Sequence, residues 1–292
     1  MDELRDGTTS GGSARERFTA AVARPEADID LGEAALLIAA EEYDGLDVRL
    51  YTRRLDDLAA GVRDRLGKVG LEDPPELVKR FHAFLFEESG FHGNENDYYD
   101  PRNSFLNEVL ERKTGIPITL AAVYLEVARR VTTRAGDALP VRGIGFPGHF
   151  LARWEVDDAI LVDPFYGSLL GEDDCKRLLE RVSGGKIAYR KELLAPLPRR
   201  GMLVRMLANL KGVWIKKGEL PRAISAIDRI LLLAPDAIAE RRDRGLLWLK
   251  LECFRPALAD LEAYLAKSTA APDARGVEAQ IIQLRRTVSR IS

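Results

Sequence analysis

Only two cysteines, Cys175 and Cys253, stand in the 292-residue chain. Two cannot build a disulfide framework, and four zinc-binding cysteines are not available. That usage fits a reducing, cytoplasmic setting. Histidine is also scarce, at three residues. Neither sign of charge is in excess: 44 Lys+Arg face 46 Asp+Glu, a net charge of −2. This excludes a generally basic nucleic-acid binder and a polyanionic tail protein. Long apolar runs are missing as well. A run such as Ala34 to Ala40 falls far short of the roughly 20 residues that span a bilayer. The opening MDELRDGTTSGGSAR has no apolar stretch that a signal peptide would need. No membrane partner is expected. What is present is an ordinary balance of 46% hydrophobic and 31% charged residues, over a length that favours two compact units.

The chain reads in three parts after a polar tail. Residues 1–15, rich in Gly, Ser and Thr, are predicted to be disordered. From there the spacing is helical. Glu33–Glu42 is apolar through its middle, Tyr51, Leu55, Leu58 and Val62 share a face, and Leu77, Phe81, Phe84, Leu85 and Phe86 form another. Asp30 and Asp73 are N-cap candidates, and Pro74 suits a first helical turn. Phe91–Arg102 is polar and aromatic and reads as a loop. Helical periodicity returns over Asn103–Lys113 and Ile118–Val131, with the breaker Thr114–Pro117 between them. Then Val141–Phe146, Phe150–Val156 and Ala159–Val162 are short and branched, divided by Pro147-Gly148 and Asp157-Asp158, as antiparallel strands are. Asp174–Val182 is helical again, and Ala195–Gly201 reads as a linker. The expected fold is α+β and mostly helical, with a small antiparallel sheet over residues 16–200 and an all-α unit over 201–292.

That last unit repeats. Trp214 and Trp248, Ala223 and Ala257, and Ile227 and Leu261 are each 34 residues apart, the period of tetratricopeptide helix pairs. The first unit has a turn glycine, Gly218, and a stop at Pro235. In the second, Glu252 replaces the glycine and the proline arrives late, at Pro272. Val277–Ile291 is predicted as a capping helix.

Three histidines bear on chemistry. His82 lies on a helix face among Phe81 and Phe84. His92 stands near Glu95 and Asp97, without the spacing of a metal site, and neither metal nor cofactor is expected. His149 opens a strand after Pro147-Gly148, and Asp163 ends the next strand before Pro164. A hairpin between them sets a carboxylate against an imidazole. That arrangement orients a base, and it equally serves as a structural hydrogen bond. A nucleophile belongs at a helix N-terminus, where the dipole lowers its pKa. The helix that opens at Gly115-Ile-Pro-Ile-Thr offers only the hydroxyl of Thr119. Cys175 follows three carboxylates and reads as a structural thiol.

The blocks DYYDPRNSFLNEVLERKTGIPITLAAVYLEVARR, LPVRGIGFPGHFLARW, ILVDPFYG and EDDC, in that order, resemble the Sir-B-type transglutaminase-like family. The likeness covers roughly residues 28 to 270, with Thr133–Asp137 as a local insertion. It implies a papain/transglutaminase-like core followed by tetratricopeptide repeats. It also implies that His149 and Asp163 match the family superfold's histidine and aspartate, while Pro117 stands at the usual cysteine place. His149, Asp163 and Thr119 are then a pseudo-triad. Tyr98, Asn103 and Asn107 in the first block, with Trp214 and Trp248 in the repeats, are the candidate binding residues. The expected function is a bacterial, non-catalytic scaffold or regulatory protein that takes a protein or peptide partner through its cleft and repeats. The alternative is an amide or peptide hydrolase in which His149, oriented by Asp163, activates water. The clusters Arg241-Arg242 and Arg285-Arg286 intermix with acids, so nucleic acid is not an expected partner.

Overall fold

The computed structural model describes residues 12–67, 69–132, 136 and 138–291. Four helices open it: α1 (Ala14–Val22), α2 (Leu31–Ala40), α3 (Val48–Leu66) and α4 (Pro74–His82). Each start has a cap that satisfies otherwise orphaned amides. Ser13 and Glu16 close a reciprocal capping box on α1. Asp30, Asp47 and Asp73 accept amide hydrogen bonds at α2, α3 and α4, and Pro74 occupies the first turn of α4. Residues 1–11 of the expected tail lie outside the described residues, and the Ser13 cap starts the helix at Ala14. α4 runs on into a π-helical stretch, Ala83–Glu88.

His92–Gly93 (β1) and Thr114–Gly115 (β2) pair in parallel, where the sequence reads as loop and breaker. Two-residue strands leave no periodicity to read. Between them come a 3₁₀ turn, Pro101–Ser104, and α5 (Leu106–Arg112); α6 (Pro117–Arg130) follows. α6 is buried along most of its length.

The sheet is antiparallel, in the order β3 (Val141–Ile144), β4 (Leu151–Trp154), β5 (Ile160–Asp163), β6 (Ser168–Leu170). The fourth strand, three residues long, is one the sequence pattern does not announce. Strand alternation divides the faces. Ala152, Trp154 and Val162 join the main core with α6, and Ile144, Leu151 and Leu161 pack with Cys175, Leu178 and Leu179 of α7 (Glu172–Ser183). Trp154 Nε1 donates to the buried Tyr124 hydroxyl at 2.8 Å, which satisfies a polar group inside the core. Of the expected insertion Thr133–Asp137, all but Gly136 lies outside the described residues.

The remaining helices are α8 (Arg199–Lys217), α9 (Leu220–Leu233), α10 (Ile238–Lys250), α11 (Phe254–Lys267) and α12 (Ala274–Arg290). The main core is continuous from Phe18 of α1 to Leu247 of α10, and a smaller one joins Ala257, Leu261 and Tyr264 to Val277, Ile281 and Leu284. The segment 195–201 is tied down: Pro196 bridges to Ile144, and Arg199 Nη1 donates to the carbonyls of Ala27 and Ile29 at 2.7 and 2.8 Å. Arg229 of α9, fully buried, donates to the Ile38 carbonyl of α2 at 3.1 Å. Gly218 ends α8 at φ +77°, and Glu252 takes the equivalent left-handed turn at φ +57°.

Candidate functional site

Gly148 turns at φ +64°, and a side chain there would press on Val182. The His149 amide donates to the Phe146 carbonyl at 3.1 Å and closes this turn. Antiparallel pairing of Ala152 with Val162 then brings the head of β4 to the end of β5. His149 Nε2 lies 2.9 Å from Asp163 Oδ2. The other carboxylate oxygen accepts from the amides of Phe165 at 2.9 Å and Tyr166 at 3.4 Å. Both side chains are buried, at 7% and 2% exposure. Nε2 faces the carboxylate, so Nδ1 is the ring nitrogen turned away from it. The imidazole stacks on Tyr166 at 6.2 Å and meets Phe165 edge-on at 6.0 Å.

Two groups at this site escape sequence reasoning. Arg205 of α8 donates through Nη2 to the carbonyls of Phe146, at 2.7 Å, and of His149. Burial lowers its pKa from the ordinary guanidinium value, and the nearby Tyr98 opposes that shift. A repeat helix 56 residues downstream of His149 carries no local signal that it will clamp this turn. Gly93 is the second. Its amide donates to the Phe165 carbonyl at 3.0 Å, and a Cβ there would come within 2.5 Å of the Phe165 ring. The parallel pairing of β1 with β2 sets this close approach, which only a glycine permits.

Thr119 is fully buried. Its hydroxyl donates to the Asn103 carbonyl at 2.7 Å and accepts the Ile116 amide at 3.1 Å. Pro117 stands in the first turn of α6, where it brings neither a nucleophile nor an N–H. Cys175 is buried against Leu178 and Leu179. Burial first, then the charges of Asp174, Asp163 and Glu172, push its thiol up to about 11.

Among the candidate binding residues, Tyr98 is 39% exposed. Asn103 is wholly buried and acts as a hub. Its Nδ2 donates to the carbonyls of Asp97 and Tyr98 at 2.7 and 3.3 Å, and its Oδ1 accepts from Asn94 at 3.1 Å. Asn107 is buried with no partner for Oδ1, and Trp214 is buried against Phe105 with no partner for Nε1. Trp248 is half-buried where the main and smaller cores adjoin. His82 places Nε2 at 2.8 Å from the Gly167 carbonyl, and His92 places Nδ1 at 2.9 Å from the Gly90 carbonyl. Among the described residues no three His, Cys, Asp or Glu side chains group as metal ligands do. No helix among them is long and apolar enough to cross a membrane.

Residues 49–208 match the model of the transglutaminase-like superfamily, and residues 210–281 match a tetratricopeptide repeat model. A UPF0162 protein of Xylella fastidiosa is 41% identical over 81% of this chain and 83% of its own length. A UPF0162 protein of Pseudomonas aeruginosa is 32% identical over 82% of this chain and 84% of its own. Mouse F-box only protein 21 is 28% identical over 58% of this chain and 27% of its own. The chain belongs to the transglutaminase-like superfamily, joins that core to tetratricopeptide-type helices, and counts bacterial UPF0162 proteins among its relatives.

Proposed function

We propose that this protein is a non-catalytic, cytoplasmic scaffold that binds a protein or peptide partner through the surface beside His149 and through its repeat helices. In this reading residues 16–200 form the transglutaminase-like unit and residues 201–292 the repeat unit. The observation that carries it is the state of the helix start. The family resemblance puts Pro117 at the nucleophile's place, and the Thr119 hydroxyl beside it is buried and used twice in hydrogen bonds to the backbone. Covalent acyl transfer needs a nucleophile within reach of the base, and these residues supply none. The raised thiol pKa of Cys175 points the same way.

One observation favours the hydrolase alternative: Asp163 holds the His149 ring through Nε2 and leaves Nδ1 turned away from the carboxylate. A base alone supplies about 10²–10⁴-fold of rate, far short of what amide hydrolysis requires. The test is a panel of peptide and amine-transfer substrates assayed with and without iodoacetamide. No turnover in either arm is the expected result. Turnover that survives alkylation and disappears in His149→Ala would establish the hydrolase instead. Turnover lost on alkylation and in Cys175→Ala would make Cys175 a nucleophile.

A further inference from the structure

Large aromatic side chains are otherwise well covered in this protein. Among the described residues the exposed ones are Tyr98, Tyr99 and Tyr166, at 39%, 54% and 44%. Tyr98 and Tyr99 are neighbours in the chain, and nothing in the spacing requires them to meet Tyr166, yet all three fall in one chain of ring contacts. Tyr99 meets Tyr98 at 5.4 Å, Tyr98 meets Phe165 at 6.3 Å, and Phe165 meets Tyr166 at 4.9 Å. The strip ends over His149, which stacks on Tyr166. Exposed apolar surface gathered in one place marks an interaction site, and tyrosine is among the residues that most often anchor one.

Cations stand at both ends of the strip. Lys216 of α8 lies 3.7 Å from the Tyr99 ring centre, and Arg181 of α7 lies 5.1 Å from that of Tyr166. Arg205 interacts with Tyr98 and is tied to the carbonyls of Phe146 and His149. Many arginines and lysines of this chain are paired with carboxylates within 4 Å, such as Arg65 with Glu88 and Lys211 with Glu240. Among the described residues, none of Lys216, Arg181 and Arg205 is so paired. Two exposed carboxylates, Glu95 and Asp97, precede Tyr98 on its loop and pair with none of the three. They disfavour a polyanion such as RNA, whose binding needs many neutralising cations. Isolated acidic side chains can still reach the two ends.

We infer that the Tyr99–Tyr98–Phe165–Tyr166 strip is a docking site for an extended, acidic peptide segment, with Lys216 and Arg181 receiving its carboxylates and the tyrosines its apolar or aromatic side chains. About five residues of extended chain, at about 3.3 Å each, cover such a length. The inference rests on the scaffold reading and names the chemistry of the partner.

The test uses the full chain and fluorescence anisotropy. The probes are labelled Gly/Ser-based octapeptides bearing Phe and three Glu, matched peptides with Gln or Lys in place of Glu, and a uridine octanucleotide. The Glu peptide is expected to bind about tenfold tighter than the Gln peptide, a difference of about 1.4 kcal/mol. The preference should weaken as salt rises and the Debye length shrinks below about 10 Å. Arg181→Glu with Lys216→Glu should abolish the preference, and Tyr98→Ala with Tyr166→Ala should weaken all peptides. All four residues are exposed, so circular dichroism should be unchanged. Equal binding of the three peptides, tighter binding of the oligonucleotide, no binding at all, or indifference to the charge reversal would each overturn the inference. Uncleaved peptide with no charge preference would do so while leaving the scaffold reading intact. Cleavage seen by mass spectrometry would overturn the scaffold reading itself.

Discussion

Asp163 is the acceptor on which the site's architecture hangs, and removing it has a calculable cost. Its carboxylate serves three donors: His149 Nε2–H at 2.9 Å, the Phe165 amide at 2.9 Å and the Tyr166 amide at 3.4 Å. His149 and Phe165 are buried, at 7% and 6% exposure, whereas Tyr166 is exposed and its bond is long. Asp163→Ala therefore strands two buried donors, and each unsatisfied buried donor costs about 1–3 kcal/mol. With some water entering the vacated space, a loss of about 3–4 kcal/mol is expected. Asp163→Asn differs. Its amide oxygen still accepts from Phe165, and its Nδ2 donates to Nε2 once the imidazole proton moves to Nδ1. What goes is the charge assistance on both hydrogen bonds, about 1 kcal/mol each and about 2 kcal/mol together. Urea unfolding followed by circular dichroism separates these figures within a total stability of about 5–15 kcal/mol, provided the m-values agree. An Asp163→Ala loss below about 1 kcal/mol would show that Asp163 does not hold these donors, because buried donors stranded without an acceptor cannot cost so little. If His149 served hydrolysis, Asp163→Asn would instead abolish turnover while sparing the fold.

Three further outcomes follow. Glu252 holds φ +57° where the preceding repeat uses Gly218, so Glu252→Gly should raise stability by about 0.5–1 kcal/mol, read as a higher midpoint of thermal unfolding, and a lower midpoint would contradict it. His82 has its pKa lowered from 6.5, chiefly by burial. The folded state therefore prefers the neutral ring, so its contribution is full above pH 6.5 and declines as the pH falls below it; the urea midpoint should drop as the pH falls below about 6.5, and His82→Gln should flatten that dependence. Cys175, with its thiol pushed up to about 11, should resist a thiol reagent at about pH 8 in the folded protein and react fully in urea, while the half-buried Cys253 reacts first. Fast labelling of Cys175 in the folded state would overturn that assignment.

Local chemistry in the chain determined most of the fold by itself. Asp30, Asp73 and Pro74 mark helix starts because their side chains act on the backbone within three residues. The 34-residue spacing of Trp214 with Trp248 and of Ala223 with Ala257 marks a helix-pair repeat because identical packing demands identical small and large residues. The short branched stretches across residues 141–163 mark strands because such side chains fit a pleated surface, and the breakers between them mark the turns. His149 and Asp163 were legible as a pair for the same reason, since a hairpin sets one strand's start against the other's end. Tertiary structure alone decided the rest. The pairing of His92–Gly93 with Thr114–Gly115, the clamp of Arg205 on the His149 turn, and the meeting of Tyr98 with Phe165 each join residues more than twenty positions apart. The exposed Tyr98 could be picked out in the sequence, but not its ring contacts or the uncompensated cations beside it. Nor could it be known that Thr119 is spent on backbone hydrogen bonds, or that Asn103 and Trp214 are buried. Burial and partnership are properties of the whole packed chain, and a side chain's own neighbours in sequence carry almost none of that information.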